Sequence, residues 1–399
     1  MTMAAPEWQV LVVGAGPVGL LLGNLLGAGG LRTLVIDKRT AGPEASMAIG
    51  LTPPSLALLR SLQLDQSFIG AGVPIDQAVV HGDRGRLGGL SFDRLPAPYP
   101  FILAIPQAET VRRLEDRLAD WPEVELRRGT ELLALEQAAD GVRAILRAGG
   151  TTEAHTLRCT FLIGADGGRS HVRQLAGITS DSGSYPHSFV MADFADHSGF
   201  GDQAHLFFTR HGSVESFPLP KGRRRWVVQS GARPDPVPSG YLTESVRRRT
   251  GIDLDGCAQF FSSAYTVGWL LANSYHRGRI VLCGDAAHVM SPVGGQGMNV
   301  GFADAGWLAK LLIACCRQGA AAEPLLADYG QARRTAARMA IGRAARGMWL
   351  GTRRGRLAGL WRDPLLRLLH APPLRRWLPP YFAMLTLPYA LPGAGQPCR

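Results

Sequence analysis

Lysine is almost missing. Lys38, Lys221 and Lys310 are the only three in 399 residues, so arginine carries nearly all of the positive charge. The six cysteines form no CxxC pair, and Cys315 and Cys316 are neighbours. No metal site is expected from that spacing, and the thiols read as reduced and cytosolic. Met1–Gln9 has neither a basic cluster nor a separate apolar core, which argues against a secretory signal. No apolar run reaches the roughly 20 residues of a bilayer-spanning helix. Internal repeats and low-complexity tracts are also absent. A cytoplasmic globular protein is expected.

What is present is a chain long enough for two or three domains, 46% hydrophobic, with a formal charge of +11. The charge is uneven. Between residues 331 and 380 there are twelve arginines, opposed only by Asp363, so that stretch supplies about the whole net charge. No nucleic-acid-binding module accompanies these arginines, and nucleic acid is not an expected partner. Arginine in place of lysine, with abundant Ala, Gly and Pro, hints at a GC-rich bacterial genome.

Near the N-terminus a short apolar run, Trp8–Val13, ends in Gly14-Ala-Gly16-Pro-Val-Gly19. An apolar helix, Leu20–Leu26, follows, and then a second apolar run, Leu31–Ile36, ending in Asp37. This is the βαβ dinucleotide fingerprint in its proper context. Gly14 permits a tight turn, Gly16 lets the backbone approach a pyrophosphate, and Gly19 lets helix pack on strand. The helix end favours a phosphate by about 0.3–1 kcal/mol. Asp37 sits where it can accept both hydroxyls of an adenosine ribose, which argues for FAD or NAD over a 2′-phosphorylated nucleotide.

Further along, Leu51–Leu64 reads as a proline-started helix, Val79–Phe92 as strands about a glycine-rich turn, and Pro106–Leu118 as a helix. Val124–Leu126, Glu131–Gln137 and Val142–Leu146 read as a strand meander. Thr160–Ile163 opens onto Gly164-Ala-Asp166-Gly167-Gly168-Arg169-Ser170. From Ser188 to Trp269 five strand-like runs and one helix, Tyr241–Thr250, suggest an inserted antiparallel sheet. The buried run Arg279–Cys283 then leads into GDAAHVMSPVGGQGMNVG, residues 284–301, and a helix over Phe302–Cys316. That loop combines Asp285, Pro292, several glycines and Asn299. Its glycines allow a flat ligand to come close, and the helix behind it aims unpaired N–H groups at the ligand. After Leu325 the chain reads as helical to about Leu369.

GAGPVG with Asp37, GADGGRS and GDAAHVMSPVGGQGMNVG together resemble the para-hydroxybenzoate hydroxylase type of single-component, FAD-dependent aromatic monooxygenase, over residues 8 to about 330. The resemblance implies a mixed α/β fold. Residues 1–72, 98–180 and 273–340 would form a Rossmann-like FAD-binding domain. Residues 73–97 and 181–272 would form a substrate-binding antiparallel β-sheet, and 341–399 a basic C-terminal helical segment. It further implies that Gly14, Gly16 and Gly19 hold the FAD pyrophosphate and Asp37 the ribose. Gln107 would open a helix beside the flavin, Leu132 would offer a backbone group near the adenine, and Asp285 would bind the ribitol or pyrophosphate. Gly295, Gly297, Met298 and Asn299 would face the flavin pyrimidine, and Asp166 would serve both FAD and the nicotinamide. Pro292 is the implied catalytic position, offering its carbonyl to the substrate hydroxyl. Met47 departs from the family, where an arginine often stands. No second dinucleotide fingerprint is present, so NADPH or NADH would visit transiently as co-substrate.

The implied reaction is hydroxylation of an aromatic or polycyclic small molecule with O2, through a C4a-hydroperoxyflavin, in bacterial secondary metabolism. Epoxidation and Baeyer–Villiger insertion use the same oxidant and stay open. No halogenase WxWxIP-like segment is present. A non-catalytic binding protein on the same fold is the rival from another class, against which the intact Asp37, Asp285 and Gly294–Gly297 loop speak. For a base that ionises a phenol, the candidates are His187, His205, His211 and Tyr185; His288 reads as structural. The arginine-rich tail reads either as helices with arginines in solvent or as a surface for weak membrane or carrier-protein contact. In the second case Trp349, Leu357, Leu360, Trp361, Leu365, Leu368 and Leu369 form its apolar side.

Overall fold

The computed structural model describes residues 7–42, 48–138, 140–231, 233–292 and 295–388. Two eight-stranded sheets and a helical layer face one another across a central cleft. The first sheet has a parallel core of Trp8–Val13, Thr33–Asp37, Val124–Arg128, Ala154–Gly164 and Ile280–Leu282. Val10, Leu11, Val12, Leu34 and Val35 are fully buried, as unbroken apolar strands covered on both faces must be. Thr130–Ala138 and Gly141–Ala148 extend it as an antiparallel arm.

Helices cover this sheet. Pro17–Ala28 follows the glycine turn and packs on Gln107–Leu118 and on Gly297–Gln318. Gly297–Gln318 is long and apolar enough to cross a bilayer by length and composition, which no single run of the sequence revealed. It is mostly buried, lying between Pro17–Ala28 and Ala322–Gly351.

The second sheet runs, edge to edge, His288–Val289, Gln259–Ala272, Ser180–Ala195, Arg223–Ser230, Gly212–Leu219, Ala204–Thr209, Gln77–Gly82 and Gly85–Ser91. It was expected to be antiparallel. One junction differs: Ala204–Thr209 pairs in parallel with Gln77–Gly82. These two strands are joined by a long excursion through the first layer rather than a hairpin, so no tight turn dictates their sense. Strand residues alternate between faces. One face, with Val190, Phe194, Val214, Trp226 and Val228, is covered by the helix Tyr241–Thr250. The other turns to the cleft.

Ala322–Gly351 is one continuous helix, so the boundary expected at 340 falls inside it. Arg356–His370 and the short Leu378–Phe382 then close the outer end of the cleft against Gly85–Ser91. Glycines make this approach possible: a Cβ on Gly88 would lie 2.4 Å from the His370 ring, and one on Gly82 would lie 2.6 Å from an Asp363 oxygen. The tail's arginines do not all point to solvent, as one expectation had it. Arg333, Arg343 and Arg362 are buried. Arg362 donates to the carbonyls of Arg353 (3.0 Å) and Phe208 (2.5 Å), tying the helix to the second sheet.

Candidate active site

The glycine turn shows three reasons for three glycines. Gly14 has φ +112°, and a Cβ there would sit 2.3 Å from the Ala165 carbonyl oxygen, so the 164–170 loop is pressed onto the turn. A Cβ on Gly19 would sit 1.9 Å from the Gly14 carbonyl oxygen. On Gly16 it would meet nothing within 4 Å, because Gly16 faces open cavity at the N-terminus of Pro17–Ala28. The first N–H groups of that helix have no partner within it. Bare backbone, open space and unpaired donors in one place fit a pyrophosphate.

Asp37 lies at the end of the second strand and lines the same cavity. Its Oδ2 accepts from the Ala15 amide (2.9 Å), and its Oδ1 accepts from the Arg39 amide (2.9 Å). Burial pushes this carboxyl up, but the Arg39 side chain and the two amides outweigh burial and hold it below the usual range. It stays an acceptor, as ribose hydroxyls require.

The two loops that complete the site are strapped together by Arg173, which sequence reasoning missed. Its buried guanidinium donates to the Ala286 carbonyl (2.8 Å) and the Gly168 carbonyl (2.9 Å). Asp166 lines the cavity, yet its carboxylate accepts from Ser170 Oγ (2.5 Å) and from the amides of His171 (2.7 Å) and Val172 (3.1 Å). Asp166 therefore holds the start of the helix His171–Leu175 and shapes the loop. Asp285 lies deep in the molecule with its side chain open to the cavity, and burial pushes its carboxyl up.

His288 is structural, as expected: it is fully buried, with Nε2 2.7 Å from Asp304 Oδ2. Arg333 donates to Asp304 Oδ1 (2.6 Å), and the Gly284 amide to Oδ2 (3.1 Å). Burial would raise Asp304, but His288 and Arg333 hold it below the usual carboxylate range. This buried group pins the 284–288 loop to the long helices. Nothing in the local sequence around His288 announced Arg333, forty-five residues away.

Eleven of the expected site residues line one cavity: Gly14, Gly16, Asp37, Gln107, Leu132, Asp166, Asp285, Pro292, Gly295, Gly297 and Met298. Gly19 and Asn299 do not line it. Gly19 serves helix packing. Asn299 is 1% exposed. Its Oδ1 accepts from the Thr52 amide (2.9 Å), Thr52 Oγ1 (3.1 Å) and Ser55 Oγ (2.7 Å), and its Nδ2 donates to the carbonyls of Gly50 and Gly295 (both 2.9 Å). It clamps the glycine loop to the segment facing it. Pro292 lines the cavity, but its carbonyl already accepts from the Gly295 amide (2.8 Å), closing the turn. Met47, Val293 and Gly294 lie outside the described residues.

The cavity measures about 1340 Å³ and continues from the glycine turn to the inner face of the second sheet. A drug-sized ligand needs roughly 300–1,000 Å³, so there is room for a dinucleotide cofactor and a second molecule. Phe189, Met191, Leu206, Phe208, Phe217, Val227 and Val267 make the far wall apolar. None of the four expected bases lines it. His205 faces the other side of its strand, under Phe200 at 3.6 Å and beside His81; burial, then the charges of His81, Arg224 and Arg86, push it down to about 4. His187 contacts Thr352 Oγ1 (3.0 Å) and Gln229 Nε2 (3.3 Å). His211 is exposed in a turn, and Tyr185 packs against other core residues. The polar groups in the wall are instead Ser213, Glu215, Arg225, Tyr265 and Thr266.

Residues 7–344 match the family described as FAD binding domain. The chain is 32% identical to a 12-dehydrotetracycline 5-monooxygenase/anhydrotetracycline 6-monooxygenase of Streptomyces rimosus, over 97% of this chain and 78% of the relative. Its fold matches p-nitrophenol 4-monooxygenase from Pseudomonas putida with TM-score 0.87 at 24% identity, covering 96% of this chain and 99% of that one. An aklavinone-11 hydroxylase in ternary complex with FAD and aklavinone superposes with TM-score 0.78 at 27% identity, over 90% and 71% of the two chains. By that family match and that relative, this chain belongs to the family of FAD-dependent aromatic monooxygenases.

Proposed function

We propose that this enzyme hydroxylates a phenolic, polycyclic aromatic molecule with NADPH or NADH and O2, in bacterial secondary metabolism. The observation that carries this reading is the single cavity joining the dinucleotide turn to an apolar sheet face. Bound FAD supplies the oxygen-activating redox chemistry. Gly14, Gly16 and the N-terminus of Pro17–Ala28 would hold its pyrophosphate, Asp37 its ribose, and the amides of Gly297 and Met298 its electron-rich pyrimidine edge. Gln107, Leu132, Asp166, Asp285 and Gly295 would border it. Pro292 would contact the substrate as a steric wall, with the second lone pair of its carbonyl free to accept. The apolar wall would exclude water around the reacting ring. The S. rimosus relative acts, by its name, on 12-dehydrotetracycline and anhydrotetracycline.

The test is NAD(P)H oxidation with and without anhydrotetracycline-like polyphenols, with products scored by a mass gain of one oxygen. Stimulated oxidation with that mass shift supports the proposal. Protein that cannot be reconstituted with FAD, or that forms only peroxide with every phenol, defeats it.

A second reading concerns the tail. Leu357 (78% exposed), Leu360 (64%) and Leu368 (58%) recur along one side of Arg356–His370 and face solvent, with Trp349 and Trp361 beside them. Leu369 turns inward and lines the cavity, unlike its expected place on this face. Arginines flank the patch, and Arg353 stacks over Trp349 at 4.7 Å. We infer weak contact with an anionic lipid surface. Flotation with phosphatidylglycerol vesicles at low salt, lost at moderate salt and absent with neutral lipid, is the expected result. No flotation at low salt discards the membrane and leaves an acidic carrier protein to be tested.

A further inference from the structure

Glu215 sits on Gly212–Leu219, in the middle of the second sheet, and borders the cavity. Its cross-strand neighbours are Leu206 on one side and Val227 on the other, and both line the same wall. Along its own strand the next residues on that face are Ser213 and Phe217. Among the described residues it has no hydrogen bond and no ion pair. The charged neighbour that could have neutralised it is committed elsewhere: Arg225 holds Asp193 with Nε–Oδ1 at 2.6 Å and Nη2–Oδ2 at 2.8 Å. Tyr265 lines the same cavity from the strand Gln259–Ala272, and burial with the nearby Glu215 charge keeps it protonated. From the helical layer Arg346, His370 and Tyr381 reach the cavity wall.

A lone carboxylate in an apolar wall costs stability, and a fold gains nothing from it. Such a group facing a cavity has a chemical use when a ligand brings it a proton. We propose that Glu215 is the base that ionises the phenolic hydroxyl of the bound substrate. The phenol O–H breaks, its electron pair stays on oxygen as phenolate, and the proton goes to a Glu215 carboxylate oxygen. One negative charge moves from protein to substrate and none is created, so the apolar wall tolerates the step. The phenolate is the electron-rich ring that electrophilic hydroxylation requires. Burial pushes the Glu215 carboxyl up to about 7, which brings its proton affinity close to that of an activated phenol and suits reversible transfer near neutral pH. The assignment rests on the aromatic hydroxylase reading above and names the chemistry of its substrate: a phenol whose hydroxyl reaches the middle of the sheet.

The probes are alizarin, a phenolic anthraquinone that changes colour on ionisation, and its O-methyl ethers, studied with the FAD-loaded protein. Binding is followed by flavin fluorescence and ionisation by the visible spectrum, so neither needs turnover. In the wild type the ionised spectrum of bound alizarin should appear as pH rises through about 7. Glu215→Gln should bind alizarin and its ethers but shift that transition by a pH unit or more. In turnover it should lose roughly 10²-fold in kcat/KM together with the ascending limb of the pH profile. Glu215→Asp should restore part of both. Circular dichroism and FAD content identify a misfolded variant, in which case Glu215→Asp alone decides through the displacement of the transition. An unchanged ionisation profile in the variants overturns the assignment while leaving the hydroxylase reading intact. Failure of the wild type to bind alizarin or 4-nitrophenol sinks the phenol-cavity reading, and the assignment with it.

Discussion

A methyl group added at Gly16 should leave the fold alone and empty the cofactor site. The backbone there is extended (φ −80°, ψ −177°), and the new Cβ meets nothing within 4 Å. We expect Gly16→Ala to keep the apoprotein's stability within about 0.5 kcal/mol while FAD affinity, measured by titration, falls at least roughly ten-fold. Gly19→Ala should do the reverse damage. Its Cβ would collide with the Gly14 carbonyl, and a loss of about 1–3 kcal/mol in urea unfolding is expected. Glu215 gives a pH dependence. Its folded pKa, about 7, lies above the usual carboxylate value, so the unfolded chain loses the proton first as pH rises. Its contribution to stability is therefore full below the unfolded value and disappears as pH climbs through about 7. Glu215→Gln should melt above the wild type at pH 8.5 and level with it at pH 4; equal melting temperatures at both would contradict the buried, unpaired carboxylate. The glycines were legible because a turn, a phosphate and a helix end impose fixed local spacing. Glu215 was not, since which face of a strand a residue occupies depends on pairing partners far away, and a one-residue slip reverses it. Residue type alone pointed to His205, which lies on the wrong side.

At the scale of elements, the start of Gly297–Gln318 is the joint that carries most. Asn299 satisfies five partners there. Asn299→Ala strands buried donors and acceptors at about 1–3 kcal/mol per group. We expect a clear drop in melting temperature and faster FAD release on dilution, although Asn299 does not line the cavity. Retained FAD with normal stability would show that the loop holds its shape unaided. Most elements could be drawn from sequence: Trp8–Val13 and Tyr241–Thr250 carry the expected ends, because apolar periodicity and flanking glycines punctuate them. The parallel junction of Ala204–Thr209 with Gln77–Gly82 could not, since nothing local encodes the sense of strands that meet after a long excursion.

Across the whole molecule, the cofactor should act as a bolt between layers. The cavity is bordered by both sheets and by the C-terminal helices. FAD at about one hundred times its Kd should therefore add roughly 2.7 kcal/mol, and both layers should melt together in a single transition that moves upward. A leading transition from the second sheet that ignores FAD would mean that the layers are energetically independent. The three-motif pattern made this convergence readable in advance. The buried arginines of the tail were not readable, because Arg333 and Arg362 look like their exposed neighbours until Asp304 and the Phe208 carbonyl come within reach.

The seam at Gly88 has an evolutionary corollary. His370 rests where that residue's side chain would be and itself lines the cavity, so the helix Arg356–His370 and this strand together form one wall of it. Larger residues at 88, or at 82 beneath Asp363, would act as shims, prising that wall outward by ångströms. Descendants of this enzyme could thus acquire bulkier clients by gaining mass at a position that never meets them.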